Sequence, residues 1–109
     1  MKLEASKLLF DIQEAISAIA EFTKGMTFEA YLADARTRAA VERKFEIVGA
    51  ACSRLRDRCP EVFETIESGH QIIGLRNRLI HGYDQVDDSI LWDVIKSKLP
   101  DFANQLPKT

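Results

Sequence analysis

Residues 75–84 read LRNRLIHGYD. Leu75, Leu79 and Ile80 continue the helical spacing begun by Ile72 and Ile73. Gly82 stands where a left-handed cap residue ends a helix. With Ile72 at zero and an advance of about 100° per residue, these five residues fill an arc of about 160°. A helix with one apolar arc needs other helices or a sheet to cover it. Arg76 falls at about 40°, inside the arc. A cation there must be paired, must extend its head to water, or must meet a partner surface.

The opposite face is equally uncommon. His70, Gly74, Asn77 and His81 follow the spacing i, i+4, i+7, i+11 and carry no large apolar side chain. Glycine in a helix interior costs ~1 kcal/mol relative to alanine. On a polar stripe it admits a second backbone, so the face is expected to be an interface or a cleft.

Outward from this helix the chain reads as further helices. Leu8, Leu9, Ile12, Ala15, Ile16, Ile19 and Ala20 form a stripe over 3–23, which ends at Lys24-Gly25. Thr27 opens a short segment, and Asp34 caps a long helix to about Arg58, with Val41, Phe45, Val48, Cys52 and Leu55 as its apolar row. Pro60 closes that helix, and 61–67 form a turn or a short helix. Ser68 and Gln71 have the spacing of a capping box. Asp87 or Asp88 caps the last helix, whose apolar face is Ile90, Leu91, Val94, Ile95 and Leu99. Pro100 kinks or restarts it. With no strand signal, the expected architecture is all-α: an antiparallel bundle of four to five helices.

The 109 residues argue for one domain, 1–109. No apolar run is long enough to span a membrane, and acids interrupt the N-terminal apolar stretch, so a cytoplasmic location is expected. Cys52 and Cys59 lack ligand spacing and read as reduced thiols; no metal and no cofactor are expected. The net charge is −2, yet residues 34–58 carry seven basic against four acidic side chains, a local +3. Such a stretch is a solvated helix face by default, and a phosphate-binding face if a site adjoins it.

Arg and His near a helix end are most simply a solvated terminus. Their chemistry also suits RNA cleavage. Histidine moves protons near neutral pH, and arginine stabilises a phosphate gaining charge. RNA brings its own nucleophile, the 2′-hydroxyl. Arg76 and His81 are five apart, about 140° on an ideal helix, so spacing alone leaves their convergence open.

The segment RNRLIHGY (Arg76–Tyr83) resembles the R-x4-H-x-Y motif of HEPN-domain ribonuclease toxins of the HepT type. YLADARTRAAVERKFEIVGAACSRL (31–55) is similar to the family's central helix, and RNRLIHGYDQVDDSILWDVIKSKLP (76–100) to its C-terminal half. The resemblance implies a homodimer with a cleft at the interface. It implies a metal-independent endoribonuclease that leaves 2′,3′-cyclic phosphate ends, with Arg76 and His81 as the catalytic pair and Asn77 in support. It also implies a toxin of a type VII-like toxin–antitoxin pair. Its partner would be a minimal nucleotidyltransferase antitoxin, MntA, which attaches AMP to Tyr83. AMP there would put charge and bulk beside the catalytic pair. The alternative is a non-catalytic helical dimer of HEPN ancestry that binds a nucleotide or a partner protein, or one that is purely structural.

Two other patterns carry less. Glu67 and His70 match Glu-x-x-His, but a di-iron bundle needs a second copy and further glutamates. Glu42, Arg43 and Glu46 are surface ion-pair residues by default. The carboxylates are expected to reach Arg76 instead, because that cation needs a counter-charge.

Overall fold

The computed structural model of the chain describes residues 2–79 and 86–108. Every regular element among them is a helix. Helix α1, Leu3–Phe22, lies along α3, Ala35–Arg58, and this pair is the backbone of the bundle. Between them runs the short α2, Phe28–Ala33. After α3 come α4, Pro60–Phe63, and α5, Gly69–Leu79, which packs back onto α3. The C-terminal run comprises α6, Asp88–Asp93, a π-helical turn, Val94–Lys98, and α7, Leu99–Gln105. The all-helical bundle matches the architecture expected from the apolar spacing.

The core is the apolar row of each helix. Leu9, Ile12 and Ile19 of α1 meet Val41, Phe45, Val48 and Leu55 of α3. Phe63, Ile72, Leu91, Leu99 and Phe102 complete it from the other helices. Cys52 and Cys59 are free and buried.

Three helix starts lie where the capping residues put them. Thr27 Oγ1 accepts from the Ala30 amide, Asp34 Oδ1 from Thr37, and Asp87 Oδ1 from Ser89 and Ile90. The last of these decides between Asp87 and Asp88. The Ser68–Gln71 capping box is not formed. Gln105 of α7 takes Ser68 instead, accepting from its amide at 2.8 Å and donating to its hydroxyl at 3.0 Å. The side chain that looked local is a tie between α5 and the C-terminal helix. Gly82, read as the cap ending α5, lies outside the described residues.

Pro100 restarts the last helix through the widened turn before it. The Leu99 amide donates to the Val94 carbonyl, five residues back, one more than in an α-helix. Proline lacks an amide hydrogen and crowds the carbonyl four residues before it. A π turn relieves both constraints while the chain remains helical. Ser97 Oγ donates to the Asp93 carbonyl at 2.7 Å, which helps loosen the same turn.

Candidate functional site

The site is built where α5 crosses α3. Ile72, Ile73, Leu75 and Leu79 face the core, as their spacing requires. Arg76 sits at the edge of this face and is half-buried. It fits because residue 49 on α3 is glycine. A Cβ at that position would fall 2.7 Å from Arg76 Cβ and 2.8 Å from Cδ. The arginine stem therefore lies against the bare backbone of α3. Sequence reasoning missed Gly49. The available signal was its place within a 24-residue helix, where glycine destabilises and so needs a packing reason.

The Arg76 head is held from one side. Its Nη1 donates to the exposed Oδ1 of its chain neighbour Asn77 at 3.1 Å. Its Nε is buried without a hydrogen-bond partner among the described residues. A guanidinium donates in a fixed fork, and a planar or tetrahedral oxyanion is its best-matched acceptor.

The expected carboxylate partners are elsewhere. Glu46 accepts from Arg43 at 2.8 Å on the surface of α3. Glu42 belongs to a polar cluster with Tyr31, Arg38 and Asp88 that joins α2, α3 and α6. In that cluster Arg38 approaches Asp88 at 3.8 Å. Burial, then the charge of Asp88, pushes the Glu42 carboxyl above its usual range, while Arg38 opposes the shift. Burial is also the main cause that raises the Tyr31 phenol, with Asp88 and Glu42 adding to it. Trp92 stacks on Tyr31 at 4.9 Å and carries Lys96 over its ring, so it anchors α6 to this cluster. Among the described residues Arg76 has no ion-pair partner, and the expected bridge from α3 is not made.

A cleft of about 280 Å³ opens beside Arg76, walled by α1 and α3 and floored by Leu8, Ile47, Ala50 and Ala51. On the polar stripe of α5, His70, Gly74 and Asn77 are exposed. His70 rests edge-on against Phe63 at 4.8 Å, with Nε2 3.9 Å from Glu64. Among the described residues, nothing outside its own helix turn lies within 4 Å of where a Gly74 Cβ would stand. His81 and Tyr83, the other two motif residues, lie outside the described residues. No group of three metal-ligating side chains stands together among the described residues, so Glu67 and His70 acquire no companions there. No described helix is long and apolar enough to cross a membrane.

The family model described as ribonuclease HepT-like matches residues 12–109. The chain belongs to the HepT-like family. Curated relatives agree. A protein of Thermococcus cleftensis described as a ribonuclease HepT is 34% identical, covering 99% of this chain and 97% of its own. Two Methanocaldococcus jannaschii proteins named as RNases are 35% and 30% identical; each alignment covers 96% of this chain, with 86% and 95% of the respective relative. No solved structure matches.

Proposed function

We propose that the protein is an endoribonuclease of the toxin type. The observation that carries this reading is the Arg76 guanidinium. It is half-buried, seated in a glycine notch, free of any carboxylate among the described residues, and open to a cleft, in a chain of a ribonuclease-named family. A structural arginine in that setting would be expected to hold an acid. An arginine kept for a phosphate would not.

In this reading the RNA 2′-hydroxyl oxygen bonds to phosphorus and the P–O5′ bond breaks. The products are a 2′,3′-cyclic phosphate and a 5′-hydroxyl. Arg76 stabilises charge gathering on the non-bridging oxygens, and His81 moves the proton between the hydroxyls, worth ~10²–10⁴-fold. The reaction uses no metal, since the nucleophile is within the substrate. Two copies of the chain form the working cleft, and the exposed Gly74 is where a second backbone comes close. A nucleotidyltransferase antitoxin of the MntA type silences the protein by attaching AMP to Tyr83. That adds a phosphodiester beside the catalytic pair.

The test is cleavage of a mixed RNA substrate in EDTA by the wild type and by Arg76→Ala and His81→Ala variants. Cyclic phosphate ends made by the wild type alone support the reading. If wild type, unmodified at Tyr83, leaves RNA intact, the protein is a binding module rather than a nuclease.

A further inference from the structure

Five charged side chains line the cleft beside Arg76, and their pairing divides them into two groups. Asp11 is taken by Lys7, which donates to both carboxylate oxygens at 2.7 and 2.8 Å. Glu46 is taken by Arg43 at 2.8 Å. Both acids of the cleft are therefore neutralised from its rim. Arg54 and Arg76 remain, and neither has an ion-pair partner among the described residues. The cleft presents two uncompensated guanidiniums above an apolar floor.

We propose that this cleft is a nucleotide subsite of the single-stranded RNA substrate, with Arg54 holding the phosphate next to the one that Arg76 attends. The proposal rests on the ribonuclease reading. The charges ask for an anion with more than one phosphate. The apolar floor of Leu8, Ile47 and Ala50 asks for a flat hydrophobic group between them. A strand of RNA offers both, and its bases are free to lie on protein when unpaired. The volume, about 280 Å³, is at the small end for ligand pockets and suits one nucleotide rather than a duplex. Arg54 is exposed on α3, about one turn before the helix end, so its head reaches the cleft without disturbing the core.

Two measurements test this. The first is fluorescence anisotropy of a 2′-O-methyl RNA hexamer, which cannot be cut, titrated with wild type, Arg54→Ala and Lys24→Ala over a range of salt. Arg54→Ala should bind about tenfold more weakly, the worth of one charge-assisted contact, and lower the salt slope by ~0.7. Lys24→Ala, outside the cleft, should bind like wild type. The second is the ratio of kcat/KM for a tetranucleotide over a dinucleotide with one phosphodiester. Arg54→Ala should lower that ratio by about the same factor, since only the longer substrate has a neighbouring phosphate. Unchanged hexamer binding, or equal losses on both substrates, would overturn the proposal. If the wild type cuts neither substrate, the ribonuclease reading fails, and the uncleavable hexamer still judges Arg54 as a phosphate contact.

Discussion

The stem of Arg76 occupies the space in which a side chain at position 49 would begin, so Gly49 and Arg76 form one joint between α3 and α5. The near end of the arginine makes the contact. Its Cβ is fixed by the α5 backbone, and no change of rotamer moves it away. Gly49→Ala should therefore destabilise the wild type, since overpacking costs about 1–3 kcal/mol and the gain in helix propensity returns ~1 kcal/mol. In an Arg76→Gly background the offending Cβ is gone and the space is open, and the same substitution should stabilise by ~1 kcal/mol. Urea midpoints of the four proteins in this cycle measure the reversal. The same sign in both backgrounds would mean that the two helices yield more easily than the contact implies.

Packing and chemistry at Arg76 separate with lysine. Arg76→Lys keeps the carbon stem that lies on Gly49 and keeps the charge, but loses the planar fork. Its urea midpoint should stay near wild type while cleavage falls roughly ten- to hundredfold. Parallel loss of both would assign Arg76 a structural role only.

Acid stability should carry two opposite contributions. Hydrogen bonds from the Thr37 amide and hydroxyl hold the Asp34 carboxyl below its usual range. Its stabilising contribution is present above the ordinary carboxylate pKa and lost as pH falls through the lowered value. Glu42 is raised by burial, so its contribution is present below the ordinary pKa and lost as pH rises through the raised value. Asp34→Asn should flatten the acid limb of the stability profile. Glu42→Gln should gain stability relative to wild type on going from acid to neutral pH. Thermal melts from pH 3 to 7 read both slopes (a pH range usual for carboxylate titration), and matching slopes would contradict the assignment.

Burial pushes the Cys52 thiol up to about 12. The folded protein keeps it protonated where the unfolded chain ionises, so stability should fall progressively above the ordinary thiol range of about 8.5. A thiol-reactive disulfide reagent at mildly alkaline pH should find neither cysteine in the native state and both after denaturation. Rapid native labelling would show that α3 opens locally around Cys52.

The parts legible in the sequence are those settled by neighbours in the chain. Thr27, Asp34 and Asp87 cap helices through bonds to amides two or three residues on, and the apolar rows of α1 and α3 follow from helical spacing. The misplaced charge of Arg76 was legible for the same reason, because its angle on the helix needs no knowledge of other helices. What covered it was not. Two carboxylates on α3 looked like its partners, yet one turned to Arg43 and the other to the cluster around Arg38 and Asp88.

Helical spacing along the whole chain determined by itself that this protein is a bundle, and spacing within α5 that Arg76 lies at the boundary of core and surface. Only the tertiary structure decided that Gly49 receives the arginine, that Gln105 reaches across 37 positions to Ser68, and that Arg54 shares the cleft. The reason is physical. A helix fixes which side chains share a face, because its rise and turn are set by the backbone. Which face meets which, and at what depth, is set by the fit of several helices at once, where a missing Cβ or a competing ion pair changes the outcome.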